Sequence, residues 1–296
     1  MSTGRLPPAP APAIMGADAQ PGEQEPMQYE NFDCDVADGC ATLRLIGPGA
    51  PDLGMLCDEF VDVMLRLQDD RAARVILLTD GDHAFDLHRD LDQLASERGR
   101  GGGFEHLAAG DEIARKIVTL VAECPKPVLA ATRGEIRNVG LGLYLAADIR
   151  LAGRSATFTA PDMAGGLVAG WGLHLTLPRL LGPGRALDFL WSHRTVTAEE
   201  AERLGLVDRI LPEDLWEQEL FNLTRRLSRI PQPAVQLTKL AVQQAPALDL
   251  TTMLAMEWES QQQCWESDET SEGLQAWREG RDPQLEAAVG PDEDDD

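Results

Sequence analysis

The 296 residues carry 26 Lys and Arg against 50 Asp and Glu, a formal net charge of −24 that repels phosphate backbones and anionic headgroups and so excludes nucleic acid and membrane surfaces as partners. A hydrophobic content of 43% is enough for a sizeable core, and no run approaches the roughly 18 apolar residues needed to span a bilayer. The five cysteines (Cys34, Cys40, Cys57, Cys124, Cys264) show no metal-ligand spacing, which points to reduced thiols in a cytoplasmic protein and not to a disulfide framework.

Residues 1–27 are rich in Pro and Ala, carry acids and lack an apolar stretch, so they read as a disordered tail and not as a secretion signal. From residue 28 to 228, apolar β-branched runs alternate with helical spacing, the pattern of strand-helix units with buried strands. A strand pair is expected over Asn31–Val36 and Cys40–Ile46, turning at Ala37-Asp38-Gly39. A helix follows over Leu53–Leu67, then a buried strand at Arg74–Thr79, a polar loop, and a helix starting near Arg89 or Asp90. Gly99 and Gly101–Gly103 predict a mobile loop, best used as a substrate-gating lid.

The second unit predicts a helix over 111–123, a break at Pro125-Lys126-Pro127, a strand at Val128–Ala131, a loop at Arg133–Asn138 and a helix from Val139 to Ala147. A third strand near Asp148–Ala152 leads through Ala156-Thr157-Phe158 to a glycine-rich loop, Ala160–Gly172. Beyond residue 173 the pattern is almost entirely helical and the strand alternation is expected to stop, with 229–285 a C-terminal helical region and 286–296 a solvated acidic tail.

On these residues the chain resembles the crotonase (enoyl-CoA hydratase/isomerase) superfamily. The resemblance is spread over roughly residues 29 to 285. It is carried by Ile76-Leu77-Leu78-Thr79 with Ala84-Phe85 and Asp90-Leu91; by Cys124-Pro125-Lys126-Pro127-Val128 with Gly134; by Ala147-Asp148-Ile149-Arg150-Leu151-Ala152; by Leu177-Pro178-Arg179-Leu180-Leu181-Gly182; and by Thr197-Ala198-Glu199-Glu200-Ala201 with Gly205-Leu206-Val207. It implies an α/β fold with a crotonase-like ββα spiral core and a C-terminal helical trimerisation region, assembled as a homotrimer or a dimer of trimers. The implied substrate is a small-molecule carbonyl compound or acyl-CoA, with CoA part of the substrate and no separate cofactor or metal.

The chemistry follows from the two strand-loop-helix units at 75–90 and 128–142. Each sets the start of a helix at the carboxyl edge of one sheet, where free N–H groups favour negative charge. Two such donors meeting at one oxygen stabilise an enolate or tetrahedral oxyanion, and loss of one costs on the order of 3 kcal/mol. By resemblance the donors are the main-chain amides of Arg89 and Val139, with Phe85, Gly140 and Trp171 lining the substrate pocket. The turns depart from the family pattern, because Asp86-Leu87-His88-Arg89 and Asn138-Val139-Gly140-Leu141 stand where small residues and a glycine run are usual.

Hydratases of the family carry two carboxylates. The position of the first is Gly142 here, and that of the second is Asp162, expected to act as the acid-base residue. Water addition by the two-carboxylate route is therefore not expected, and isomerase, lyase or hydrolase chemistry takes its place. His88 brings an imidazole toward the site, and Glu135, after Gly134, offers a substitute carboxylate. His174 and His193 read as structural.

A looser similarity links the chain to the 6-oxocamphor hydrolase branch, which cleaves β-diketones without CoA. It rests on the absent first-turn glycine, on Tyr29-Glu30-Asn31 and on Ser155-Ala156-Thr157-Phe158. That branch's second-turn histidine is Val139 here, and its later aspartate falls near Trp171, so its mechanism does not carry over. A CoA-independent C–C hydrolase and a catalytically silent scaffold stay open as alternatives.

Overall fold

The computed structural model describes residues 29–46, 53–80, 91–137, 139–161, 163 and 165–285. The expectations for the terminal segments 1–27 and 286–296 lie outside them.

The chain opens with the hairpin β1 (Phe32–Ala37) and β2 (Cys40–Leu45), closed by the two-residue turn Asp38-Gly39. Both turn residues have positive φ, 49° and 79°, the left-handed geometry that matches a two-residue hairpin to the twist of its strands. Glycine is also required at the second position for space. A Cβ there would stand 2.8 Å from the Cβ of Ser228, whose hydroxyl donates to the carbonyl of Asp38.

The helix α1 (Leu53–Asp69) then leads to β3 (Val75–Asp80), α2 (Leu91–Gly99), α3 (Phe104–Ala122) and β4 (Val128–Thr132). Residues 100–103 of the glycine cluster lie outside helix and strand as expected, but Gly99 does not and the link is short. Helix α2 runs through Gly99, Arg100–Gly102 fold back onto the carbonyls of Glu97 and Arg98, and α3 starts seven residues before the expected 111. Short strand β5 (Glu135–Arg137) follows, where a loop was expected, then α4 (Val139–Ala146), β6 (Ile149–Gly153) and β7 (Thr157–Thr159).

Helices α5 (Leu173–Leu181) and α6 (Pro183–Ser192) precede β8 (Thr195–Thr197), α7 (Ala198–Leu204), β9 (Arg209–Leu211) and α8 (Trp216–Ser228). The last described helices are α9 (Gln232–Gln244), α10 (Leu250–Trp265) and α11 (Asp268–Glu279).

Among the described residues the strands form a six-stranded sheet in the order β1-β2-β3-β4-β6-β9 and a three-stranded sheet in the order β5-β7-β8. The strand alternation thus continues past residue 173, contrary to expectation. Three-residue strands such as β8 and β9 are too short to show a period of two against the helices around them. β9 runs parallel to β6 and closes that edge.

Apart from the opening hairpin the large sheet is parallel and buried on both faces. Leu43, Ile76, Leu78, Val128 and Ala130 pack under α1, α3 and α4, while Val75, Leu77, Leu129, Leu151 and Leu211 pack under Trp216, Leu220 and Leu223 of α8. This explains the unbroken apolar runs in β3 and β4, since a strand covered on both faces needs no polar alternation.

The C-terminal helices are tied to this core by buried cations. Arg74, at the start of β3, donates to the carbonyls of Ser228 and Ile230 and pairs with both oxygens of Glu269 on α11, at 2.8 and 2.9 Å. Lys239 of α9 reaches Asp148 at 2.6 Å. Helices α9 and α10 nevertheless bury none of their own residues. Leu250, Leu254 and Trp258, spaced four apart on one face of α10, and Trp265 and Trp277 are all exposed in the single chain.

Candidate functional site

Strands β3 and β4 are parallel neighbours, paired from Ile76↔Val128 to Thr79↔Ala131. Their carboxyl ends point the same way, and each leads into one of the turns singled out from the sequence. The first turn, with Phe85, His88 and Arg89, lies outside the described residues, as does Asp162. Val139 begins α4, so its main-chain N–H is among the first of that helix and has no partner within it. Gly140 and residues 141–145 behind it are buried, and the hydroxyl of Tyr144 donates to the carbonyl of Leu151, fixing α4 against β6.

The ends of β3 and β4 are joined by one carboxylate. Oδ2 of Asp80, the last residue of β3, accepts from the Thr132 hydroxyl at 2.7 Å, the Arg133 amide at 2.9 Å and the Gly134 amide at 3.1 Å. The Gly134 carbonyl in turn accepts from the Thr157 amide, where β5 joins β7. The Arg133 guanidinium lies over the Trp216 ring, 5.3 Å from its centre. Neither Asp80 nor Thr132 stands out in the sequence reading; the one signal is an acid closing an otherwise apolar strand.

Trp171 is buried and stands against α4. It adopts a left-handed backbone, φ 57°, unusual for a residue with a bulky side chain. A Cβ on Gly142 would lie 2.3 Å from the Trp171 Cβ and 2.5 Å from its carbonyl oxygen. Position 142 therefore has no room for any side chain, and Trp171 occupies the space a carboxylate there would need.

Glu135 lies on β5 with its side chain exposed and accepts a hydrogen bond from the Thr159 hydroxyl at 3.2 Å, so it belongs to the small sheet and not to a loop. Thr159 is two residues before Pro161, which is buried, and Met163 packs partly on the core, so both chain neighbours of Asp162 are anchored. His174 is exposed on α5, and His193 sits in a left-handed turn. Burial raises the thiols of Cys34, Cys40, Cys57 and Cys124 above the ordinary value, which withholds a thiolate nucleophile from neutral pH. Among the described residues no group of three His, Cys, Asp or Glu could hold a metal ion, and no helix is long and apolar enough to cross a membrane.

Comparison with known proteins gives one consistent result. The model of the enoyl-CoA hydratase/isomerase family matches residues 54–288. Crotonyl-CoA hydratase of Syntrophomonas wolfei is 29% identical over 263 residues, covering 86% of this chain and 97% of that protein. 4-Chlorobenzoyl coenzyme A dehalogenase-1 of an Arthrobacter species is 29% identical over 213 residues, 70% of this chain and 75% of the relative. Among solved structures, an enoyl-CoA hydratase from Bacillus anthracis superposes with a TM-score of 0.78 at 28% identity, covering 86% of this chain and 98% of the other.

Proposed function

The chain belongs to the enoyl-CoA hydratase/isomerase family, and from that premise we propose that it processes an acyl-CoA or related carbonyl substrate by stabilising an enolate or oxyanion with a single carboxylate, as an isomerase, lyase or hydrolase and not as a two-carboxylate hydratase. The observation that carries the reading is the contact of Gly142 with Trp171. Where the hydratase pattern has its first carboxylate, this chain has a glycine that the Trp171 main chain and Cβ touch so closely that no side chain fits. The family resemblance does not by itself impose hydration, since one of the relatives is named as a dehalogenase of a CoA thioester.

In this reading the amides of Arg89 and Val139 donate to the substrate oxygen. Their worth is greatest as charge builds on that oxygen, because fixed dipoles need no reorganisation at that moment. Asp162 moves the proton to or from the carbon next to the carbonyl. Trp171, Gly140 and Phe85 bound the acyl group, His88 stands near the first amide, and Glu135 is the reserve carboxylate. The CoA moiety enters as part of the substrate, with no separate cofactor. The protein works as a homotrimer or a dimer of trimers, which is supported by the exposed apolar face of α10 and by Trp265 and Trp277, since a single chain rarely leaves so much apolar surface in water.

The test is a screen of CoA thioesters and β-diketones with wild type and Asp162→Asn. The expected result is thioester binding by titration calorimetry and turnover that Asp162→Asn abolishes without lowering thermal stability. Turnover of a diketone with no affinity for CoA thioesters favours the CoA-independent C–C hydrolase instead. Unimpaired turnover by Asp162→Asn removes the acid-base assignment.

A further inference from the structure

Of the two turns that carry the proposed oxyanion donors, one follows β3 in the chain and the other follows β4, and something must hold the ends of these two strands together. Main-chain pairing does not. The ladder ends at Thr79↔Ala131, one residue short of Asp80 and Thr132. At that point side chains take over. The Asp80 carboxylate accepts from the Thr132 hydroxyl and from the next two main-chain amides, and the Thr132 oxygen itself accepts from the Gly134 amide at 3.1 Å.

Thr132 is fully buried, so its hydroxyl has no water to exchange with, and a lost partner there is costly. Hydrogen bonds to an ionised carboxylate are roughly twice as strong as neutral ones. Three of them on one oxygen fix the start of the second turn against the end of β3. The other side of Gly134 is held as well, through its carbonyl and the Thr157 amide. From Gly134 the chain has only β5 and one further residue before Val139.

We infer that Asp80 is a positioning residue: its carboxylate clasps residues 132–134 to the end of β3 and thereby sets where the Val139 amide stands relative to the end of β3. The inference rests on the functional reading above, because it concerns where two amides meet. A donor pair polarises a carbonyl only when both amides reach one oxygen, and a misplacement near 1 Å costs roughly 100-fold in rate. In this reading the clasp acts through the main chain it holds and not by contact with substrate. Its loss therefore changes how strongly a bound carbonyl is polarised while leaving most of the binding surface in place.

Cinnamoyl-CoA is a suitable probe, because hydrogen bonds to its thioester oxygen draw electrons through the conjugated chain and move its absorbance to longer wavelength. Wild-type protein is expected to bind it and shift the band. Asp80→Ala and Thr132→Val are expected to bind with a Kd within about tenfold of wild type but to lose most of the shift. Asp80→Asn, which keeps an oxygen acceptor, and Thr132→Ser, which keeps the hydroxyl, are expected to retain it. Thermal unfolding checks each variant's fold, and either loss variant suffices if the other does not fold.

In wild type alone, the Arg133 and Gly134 amides should exchange with deuterium slowly, and rapid exchange at both overturns the clasp. A full shift in the folded loss variants also overturns it, with the functional reading intact. If wild type neither binds the thioester nor shifts its band, the functional reading itself fails and the inference goes with it.

Discussion

Gly142 and Trp171 meet so closely that the glycine's missing side chain is part of the packing: a Cβ on Gly142 would overlap both the Trp171 Cβ and its carbonyl oxygen. Gly142→Ala is therefore expected to destabilise the fold by about 1–3 kcal/mol, the usual cost of overpacking. At roughly 2–4 °C per kcal/mol for a chain of this size, the melting temperature should fall visibly in a thermal scan. Gly142→Ala should cost less on a Trp171→Gly background than in wild type, since Trp171→Gly removes one of the two clashing atoms, the Cβ, although the carbonyl oxygen remains. An additive double mutant would show that the two residues are not coupled.

The pair Arg74 and Glu269 fastens α11 to the start of β3. The guanidinium is almost wholly buried, while the carboxylate is about a third exposed. Burial alone would raise the Glu269 carboxyl, but hydrogen bonds from Arg74 and the Gln232 amide outweigh it and hold the group below the ordinary carboxylate value. Glu269→Ala strands a buried cation and should cost about 3 kcal/mol, near the lower end for a broken buried pair because one partner is partly solvated. Urea unfolding measures this, and a loss under 1 kcal/mol would show that Arg74's carbonyl partners suffice.

Lys126 offers a pH signature. Its ammonium donates to the carbonyls of Leu67 and Asp70 at 2.6 Å each, and burial lowers its pKa from 10.5 to about 8. Between these values the unfolded chain binds more protons than the folded one, so this lysine's contribution to stability rises with pH across that window. Wild type should therefore gain stability relative to Lys126→Met as urea unfolding is moved from about pH 7.5 to about pH 9.5. A difference between the two proteins that stays flat over that range contradicts the shift.

The exposed stripe of α10 is the surface on which the proposed assembly is tested. Leu254→Glu combined with Trp258→Glu should convert the proposed oligomer to a lower-order species in sedimentation velocity, with far-ultraviolet circular dichroism unchanged, because neither side chain supports the single chain's own core. An unchanged sedimentation coefficient would place the interface elsewhere.

Much of the fold is readable from residues because its strands are long and apolar. Val75–Thr79 and Val128–Ala131 announce themselves, and Asp38-Gly39 marks its hairpin directly. The short strands β5, β8 and β9 do not, since three residues carry no usable period of two. The glycine cluster after residue 98 marks the break between α2 and α3 but not how short it is, because composition says nothing of two helices that close over a tight link. In the site, the missing carboxylate at 142 is visible in sequence, but the steric reason for it is not, because Trp171 lies 29 positions away. Likewise Asp80 acquires its partners only when β3 and β4 lie side by side.

The Asp38-Gly39 turn rests on Ser228, and the Gly39 carbonyl accepts from the amides of Arg74 and Val75. The first hairpin to leave the ribosome thus waits for a residue made 190 positions later before its turn is capped. At ordinary synthesis rates of 5–20 residues per second, that is roughly ten to forty seconds during which the turn must hold its left-handed geometry without its cap.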